Sequence, residues 1–393
     1  MHNTLAFAVL SLAATAIAGD APDLTERADC LAIARRIGEL VVEKRDAITS
    51  HEAYDGSAGV ALFLYELDAA TGDRTWRVHA DALLDRALDL PKPGLWVGLA
   101  GAGQVALDAH RLTGRADDLA KAKRCAEKLA DPEGTDVISG AAGTGIFLLN
   151  LHHTTKEKAH LDAAAKLGAY LARVAVRSEA GTSWPVAPKS DRTYIGFSHG
   201  AAGIGYFLAE LHRRTGERRW LELAEDAADF VESCRRRDAR GVVGWTKMHP
   251  ARNDAIPVQW CHGSPGIGLF WLAMHDVTGK KAYAERALEC VEAVRRDGRT
   301  ARVGGCICHG VGGNAELFLD AWLALGRKDA ALLADARRFA ADLVADPAFP
   351  AAVSWRGKIH PYGPGYMTGL AGIGRFFLRL ADPEKVGPAF MVR

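Results

Sequence analysis

The stretch Trp260-Cys-His-Gly-Ser-Pro-Gly-Ile-Gly-Leu-Phe-Trp-Leu-Ala-Met274 decides the fold of this 393-residue chain. It contains a glycine pair spaced G-x-x-G, Gly263 and Gly266, and apolar side chains fill almost every position after it. The run lacks the strict alternation of a β-strand and is too long for one strand, so it predicts a helix. A helix that is apolar on most faces is a buried helix. The stretch therefore predicts a glycine turn that leads into a buried helix.

The same pattern occurs seven times along the chain, which is typical of repeat architectures. The first glycines of the seven turns are Gly56, Gly98, Gly140, Gly200, Gly263, Gly310 and Gly369. After the buried helix comes a further turn, often Thr-Gly as at Thr215-Gly216, where glycine suits a helix C-cap. An amphipathic, charged helix follows, as in residues 221–234. Each unit thus predicts one buried helix and one half-exposed helix.

The last unit indicates how the units are arranged. An open array of repeats needs polar capping units at both ends. The unit that begins at Gly369 is nearly as apolar as the central ones. We therefore predict an all-α fold, an α/α toroid in which seven helical hairpins form an inner and an outer ring, as a single domain over residues 19–393. The glycine turns then share one end of the toroid, where we expect the chemistry.

The composition limits the classes of function. Hydrophobic residues make up 49% and charged residues 25% of the chain, with a formal net charge of +1. No excess of basic residues argues for nucleic acid, and we predict no nucleic-acid partner. The seven cysteines are odd in number and irregular in spacing, unlike a disulfide framework. Three of them lie in helix-like patterns and are interpreted as buried, inert thiols: Cys125, Cys234 and Cys290.

The N-terminal segment is open to two interpretations. Residues 5–18 are apolar and uncharged and end in Ala-Ile-Ala before Gly19, which resembles a signal-peptidase site. The residues before them contain no Lys or Arg, only His2. Residues 1–18 are therefore a candidate signal peptide, and the alternatives are an apolar first helix or a misplaced start codon. The segment is too short to span a bilayer, so we predict no transmembrane span in the mature chain. The mature chain is then either cytoplasmic or exported, depending on which interpretation of residues 1–18 holds.

A cluster of metal-binding side chains stands out at the turns. Three consecutive units carry histidine directly before the first glycine, His199, His262 and His309, and two of these add a cysteine one step earlier, Cys261 and Cys308. A structural position would be filled similarly in every repeat, so this clustering predicts a site. Two thiolates and an imidazole select Zn²⁺. The candidate ligands Cys261, Cys308 and His309 leave a tetrahedral zinc with one open position, as in catalytic sites.

Rival interpretations exist for this cluster. Cys306 is a rival ligand, but in an extended C-x-C segment its sulfur and that of Cys308 point apart, which favours a structural or supporting role. His262 is a rival for the imidazole ligand, although a helix-capping role suits it better. The alternative for the whole cluster is a pair of buried thiols with a capping histidine.

Two further residues are candidates for acid–base chemistry. His199 has no cysteine beside it, and an imidazole near a zinc ion suits a general acid or base. Its alternative is a histidine bonded to backbone at a helix start. Asp136, four residues before the third turn, is placed to orient His199 or to protonate an intermediate. Its alternative is an ordinary carboxylate at a helix start.

Three motifs together resemble the lanthionine synthetase C-like family: Gly196-Phe-Ser-His-Gly-Ala-Ala-Gly203, Trp260-Cys-His-Gly263 and Cys308-His-Gly310. The glycine turns extend the resemblance over residues 54–380. The resemblance implies a seven-hairpin α/α toroid, zinc held by Cys261, Cys308 and His309, and catalytic roles for His199 and Asp136. The role of Asp136 is implied because the sequence Asp-Val-Ile-x-Gly before the third turn is similar to the corresponding segment of the cyclases.

The reaction implied by the resemblance is Michael addition of a peptide cysteine to dehydroalanine or dehydrobutyrine, which forms a thioether ring. The partners implied are a peptide or small-thiol substrate and a separate dehydratase, because this chain has no large dehydratase domain. The lantibiotic cyclases carry an arginine shortly before the Trp-Cys motif, whereas this chain reads Ile-Pro-Val-Gln over residues 256–259. That difference concerns the substrate and leaves the metal site intact.

Other functions remain to be distinguished. A relative of the cyclases could add a small thiol such as glutathione to dehydroamino acids, or bind such thiols. A non-enzymatic toroid could bind peptides around a structural zinc. A prenyltransferase-like or carbohydrate enzyme would also suit an α/α toroid, but the turns offer few paired carboxylates for glycoside hydrolysis. Three longer inserts, residues 177–196, 241–259 and 355–366, are either substrate walls and a lid or plain surface connections.

Overall fold

The structure, a computed structural model, describes residues 23–187, 190–253, 255–300, 304–355 and 358–392. Its helices are α1 (Arg27–Glu43), α2 (Ser57–Thr71), α3 (Thr75–Asp85), α4 (Leu99–Thr113), α5 (Ala116–Glu127), α6 (Ala141–Thr155), α7 (Lys158–Val174), α8 (Ala201–Thr215), α9 (Arg218–Ser233), α10 (Ser264–Thr278), α11 (Lys281–Asp297), α12 (Val311–Ala324), α13 (Ala330–Val344) and α14 (Leu370–Ala381). Short 3₁₀ helices cover Arg45–Ala47 and Gly298–Thr300. The even-numbered helices form the inner ring and the odd-numbered helices the outer ring, so the predicted all-α toroid is confirmed.

The glycine pairs explain how the inner helices pack. The first glycine of each turn is the extended N-cap of an inner helix, as Gly263 is for α10. The second glycine packs against the backbone of its own turn. A Cβ on Gly266 would lie 2.1 Å from the carbonyl oxygen of Trp260 and 2.6 Å from the Cβ of Phe197 in the preceding turn. No larger residue fits there, because such distances are far inside van der Waals contact.

The ring closes through both ends of the chain. Each inner helix packs against the next one, and α14 packs against α2. The outer partner of α14 is α1, from the start of the chain, rather than a helix that follows it. The predicted order of inner helix then outer helix therefore holds for six units and is wrong for the seventh, whose two helices come from opposite ends of the described chain.

A closed series of backbone hydrogen bonds joins the seven turns at the positions just before their first glycines. The N–H of Cys261 donates to the carbonyl of Cys308 over 3.2 Å, and the N–H of Cys308 donates to Met367 over 2.9 Å. The series is completed by Met367 to Tyr54, Tyr54 to Trp96, Trp96 to Ile138, Val137 to Ser198 and Ser198 to Cys261. Because buried N–H and C=O groups require partners, this ring fixes the order and spacing of the turns.

The strands lie in or just before the three inserts and in the connection after α9: β1 (Val176–Ser178), β2 (Gly181–Ser183), β3 (Thr193–Tyr194), β4 (Arg235–Arg237), β5 (Val243–Trp245), β6 (Met248–His249), β7 (Ala352–Trp355) and β8 (Lys358–Pro361). They form four antiparallel pairs, β1–β2, β3–β6, β4–β5 and β7–β8. The β3–β6 pair, with Tyr194 opposite Met248, joins the first two inserts to each other.

The segment of residues 387–392, here called the lumen segment, fills the middle of the inner ring. Its Phe390 ring lies 4.3 Å from the ring of Trp96, centroid to centroid, and is buried. Side chains from three inner helices bind its backbone: Arg375 donates to the Gly387 carbonyl (2.6 Å), Asn150 donates to the Met391 carbonyl (2.9 Å), and the Tyr206 hydroxyl accepts from Val392 N–H (2.9 Å). The toroid therefore has a filled centre.

The candidate signal peptide, residues 1–18, lies outside the described residues. Among the helices that are described, none is both long and apolar enough to cross a membrane.

Candidate metal centre

The structure brings Cys261, Cys308 and His309 together at the glycine-turn end of the toroid. Their ligand atoms all lie within 4.8 Å of one another. Both cysteines occupy the position two residues before the first glycine, in the adjacent turns before α10 and α12, and are joined by the backbone hydrogen bond between those turns. Both are buried, and His309 is half-buried. The short turns thus place two sulfurs and an imidazole at one point.

The charges of these groups are strongly linked. A hydrogen bond from Cys261 lowers the pKa of the Cys308 thiol to about 5, with help from His309 and Tyr54 and against the effect of burial. The same hydrogen bond and burial raise the pKa of Cys261. Hydrogen bonds with Cys306 and Cys308 raise the pKa of His309 to about 10. These shifts favour a thiolate on Cys308 beside a protonated imidazole on His309.

This donor set fits a zinc ion. Two thiolates and an imidazole are soft and borderline ligands of the kind that Zn²⁺ prefers. Within the described chain, no fourth His, Cys, Asp or Glu belongs to the group. Cys306 lies outside it but forms a hydrogen bond with the ring of His309, a contact that would orient a ligand. Three protein ligands are the number typical of catalytic zinc sites.

Tyr54 also reaches this cluster, which the sequence analysis did not anticipate. Its hydroxyl donates a hydrogen bond to Sγ of Cys308 over 2.9 Å. Burial, followed by the negative charge of Cys308, raises the pKa of Tyr54, so its hydroxyl keeps its proton. Tyr54 stands two residues before Gly56, as Cys308 stands before Gly310, so the repeat alignment held a signal that could have singled it out.

His199 and Asp136 meet beside the cluster. Nδ1 of His199 lies 2.6 Å from Oδ2 of Asp136. Oδ1 of Asp136 accepts from the N–H groups of Ser139 and Gly140, over 2.7 and 2.9 Å. Burial alone would raise the pKa of Asp136, but the contact with His199 and the hydrogen bonds of Ser139 outweigh it and lower that pKa. Asp136 thus contacts His199 and also accepts hydrogen bonds from the turn before α6, which fits both the orienting interpretation and the helix-start interpretation. A catalytic role for this carboxylate stays a prediction.

His262 lies beside His199 rather than in the metal group. Its ring stacks on that of His199, with centroids 5.9 Å apart and planes at 27°. The N-cap of α10 is Gly263, with no side-chain cap hydrogen bond, so the expected capping role of His262 is wrong. Burial lowers the pKa of His262 to about 3, assisted by Lys247 and His199. Its buried Nδ1 has no hydrogen-bond partner among the described residues.

The inserts form one wall of this site. Tyr194, in β3, lies 5.7 Å from the ring of His199 and 5.2 Å from that of His262, between centroids. Lys247, exposed beside β6, places its Nζ 5.6 Å from the centroid of the Tyr194 ring. The β3–β6 pair is therefore part of the site, as the substrate-wall interpretation of the first two inserts expects. Trp260, the residue before Cys261, packs edge-on against Trp96, with ring centroids 5.8 Å apart.

Comparison with known proteins agrees with this geometry. A family model described as lanthionine synthetase C-like protein matches residues 47–391. The curated protein "Glutathione S-transferase LANCL1" of Danio rerio is 34% identical over 128 residues, 32% of this chain and 30% of that protein. "Lacticin 481/lactococcin biosynthesis protein LcnDR2" of Lactococcus lactis subsp. lactis is 21% identical over 188 residues, 46% of this chain and 18% of that protein. The matches thus span less than a third of the length of either relative.

Solved structures show the same fold. A structure of "Nisin cyclase" superposes with a TM-score of 0.69 at 16% identity, covering 92% of this chain and 96% of that one. An α-1,6-mannanase of Salegentibacter sp. HEL1_6 superposes with a TM-score of 0.51 at 12% identity, covering 90% of this chain and 99% of that one. At such identities the likeness concerns the fold alone.

Proposed function

Because the chain belongs to the lanthionine synthetase C-like family, we propose that it is a zinc-dependent enzyme that activates a thiol for Michael addition to a dehydroamino acid. The observation that carries the proposal is the convergence of Cys261, Cys308 and His309, whose ligand atoms lie within 4.8 Å of one another. These three residues would hold the zinc ion. When bound there, the ion would supply the positive charge that keeps an incoming thiol deprotonated near neutral pH.

The proton needed to complete the addition is assigned to His199. The thiolate sulfur bonds to the β-carbon of the dehydroamino acid, the C=C electron pair moves toward the carbonyl, and the resulting enolate takes a proton at its α-carbon. Asp136 occupies Nδ1 of His199 at 2.6 Å, which leaves Nε2 to deliver this proton. The ionised carboxylate also stabilises the protonated ring before transfer, as in other carboxylate–histidine pairs.

The proposed substrate is a dehydrated peptide whose own cysteine closes a thioether ring. Dehydration of its serine or threonine residues would then come from a separate dehydratase. The two joined inserts place Tyr194 and Lys247 beside the histidines. Tyr194 offers a peptide an aromatic ring to pack against, and Lys247 offers it a hydrogen-bond donor.

A second candidate is addition of a small thiol of the glutathione type to the same acceptor. It is favoured by the relative named "Glutathione S-transferase LANCL1", which matches at 34% identity over 128 residues. The chemistry at the metal centre would be the same. Only the source of the thiol would differ.

One experiment separates these candidates. Zinc-loaded protein is incubated with a peptide containing dehydroalanine and cysteine, and separately with a cysteine-free dehydroalanine peptide plus glutathione. Loss of the alkylatable thiol without a change in mass reports cyclisation, and a glutathione adduct reports small-thiol addition, both by mass spectrometry against a metal-free control. If neither product exceeds the control, enzymatic addition is refuted and a non-enzymatic peptide-binding toroid with a structural zinc remains.

A further inference from the structure

Tyr54 and Cys308 belong to the first and sixth glycine turns, 254 residues apart, and their side chains meet over 2.9 Å. Their backbones are linked through the seventh turn. The N–H of Cys308 donates to the carbonyl of Met367 over 2.9 Å, and the N–H of Met367 donates to the carbonyl of Tyr54 over 2.6 Å. Closure of the inner ring thus sets the separation between the hydroxyl and the sulfur.

The ring of Tyr54 is also held from its other side. It packs edge-on against Trp96, with centroids 6.4 Å apart and planes at 82°. Trp96 in turn packs against Trp260, the residue before the metal-binding Cys261, and against Phe390 of the lumen segment. Because edge-on aromatic packing fixes ring orientation, the hydroxyl is directed at Cys308 by its surroundings.

We propose that Tyr54 is a positioning residue of the metal centre, whose hydroxyl donates to the Cys308 thiolate and reduces the negative charge that this sulfur gives to the metal. The inference rests on the proposed zinc site. A hydrogen bond to an ionised acceptor is stronger than one between neutral groups. Contacts to the ligands of a metal adjust its chemistry as well as ligand orientation. With less charge donated by Cys308, an ion bound there would polarise an incoming thiol more strongly.

This arrangement makes the two cysteines unequal. Cys308 receives the Tyr54 hydroxyl, whereas the side-chain contact of Cys261 outside the cluster is with the amide oxygen of Gln259, at 3.8 Å, which accepts rather than donates. The two sulfurs would therefore donate different amounts of charge, and the hydroxyl of Tyr54 contributes to the difference from outside the ligand set.

Cobalt absorption spectroscopy tests the proposal without reference to turnover. The protein is loaded with Co²⁺ in place of zinc, and the sulfur-to-cobalt charge-transfer band of the wild type is compared with that of Tyr54→Phe. Without the hydroxyl, the partial positive charge of its hydrogen no longer stabilises the electrons of the sulfur. The charge-transfer band should therefore shift to longer wavelength, while the ligand-field bands keep their tetrahedral pattern. The matched control is Tyr170→Phe, whose hydroxyl donates to the Glu133 carbonyl over 3.2 Å outside the site. It should leave the spectrum unchanged.

A second replacement covers the case in which Tyr54→Phe folds poorly. 3-Fluorotyrosine at position 54 keeps the ring and makes the hydroxyl a stronger donor, so the band should move to shorter wavelength. A Tyr54→Phe or fluorotyrosine spectrum that superimposes on the wild type overturns the proposal. Thiol addition by a protein with an unchanged spectrum would refute only this inference, and a shifted spectrum without thiol addition would refute only the proposed function.

Discussion

Nδ1 of His199 lies 2.6 Å from Oδ2 of Asp136, although the two residues are 63 positions apart and precede different inner helices, α8 and α6. The carboxylate is itself fixed by the N–H groups of its own turn, Ser139 and Gly140. A histidine held in this way has one ring nitrogen occupied and a fixed ring orientation, which the proposed proton transfer would require.

The first prediction concerns this pair. Replacing His199 by Asn should leave zinc content unchanged and slow thiol addition by about 10²- to 10⁴-fold, the usual contribution of a positioned acid or base. Metal analysis and product formation measured on the same sample check this. His212→Asn is the control, because His212 lies at the far end of α8 with its Nδ1 on the Glu217 carbonyl. Equal rates for His199→Asn and the wild type would remove His199 from the mechanism.

The second prediction is the pH dependence of stability at Asp136. Its pKa in the folded protein is lowered, so its contribution to stability is present above the unfolded pKa of about 3.9 and is lost as the pH falls through the lower folded value. The difference in free energy of unfolding between the wild type and Asp136→Asn should therefore shrink below about pH 4. Urea unfolding across that range measures it, and a difference that stays constant there would contradict the assignment.

The third prediction is proton release on metal binding. With the pKa of Cys308 at about 5, that of His309 at about 10 and that of Cys261 raised, the metal-free cluster carries protons on Cys261 and His309 at neutral pH. Zinc binding should displace about two protons, and apparent affinity should rise about 100-fold per pH unit near neutrality. Titration in weak buffer with a pH indicator counts them. Release of a single proton would show that the cluster starts from a different charge state.

The fourth prediction concerns the ligands. Cys308→Ala should weaken zinc binding by more than about 100-fold, since even changes beyond the ligands cost 10- to 100-fold. Competition with a chromophoric chelator measures the loss. The matched control, Cys234→Ala, removes a buried thiol outside the metal group and should bind zinc as the wild type does. Retention of wild-type affinity by Cys308→Ala would refute the ligand assignment.

The fifth prediction concerns the lumen segment. Phe390→Ala should lower the free energy of unfolding by about 3–5 kcal/mol, because it leaves a cavity between Trp96 and Tyr366 that the surrounding rings cannot fill. Ile359→Ala, at a side chain that is 56% exposed, should change it by less than about 0.5 kcal/mol. Denaturant unfolding of the two variants side by side checks the difference, and equal midpoints would show that Phe390 adds little packing.

The repeat made the fold and the cysteine–histidine cluster predictable. Seven copies of one turn sample one structural position, so an unusual residue in two of them, Cys261 and Cys308, stands out without any structure. Orientation of His199 was one of the roles considered for Asp136, and the adjacent turns do bring the two side chains together. His262 was misassigned because it lies one residue outside the N-cap Gly263, where its side chain leaves the helix and reaches His199.

Closure of the ring was predicted, but the contacts that it creates between the two ends of the chain were not. Tyr54 contacts Cys308 only because the first turn returns beside the seventh. The pairing of α1 with α14 has the same origin. Residues 387–392 carry no repeat and no helical period, so their place in the lumen could not be deduced from their sequence.

Because the lumen segment occupies the centre of the inner ring, the toroid is closed on one side of the site. Phe390 packs on Trp96, and the backbone of the segment is bound to three inner helices, so among the described residues the centre of the toroid is filled and does not form an open channel. A ligand that reaches the cysteines would therefore enter and leave at the glycine-turn end of the toroid. If the proposed function holds, a peptide substrate would therefore enter and leave by the same face of the toroid.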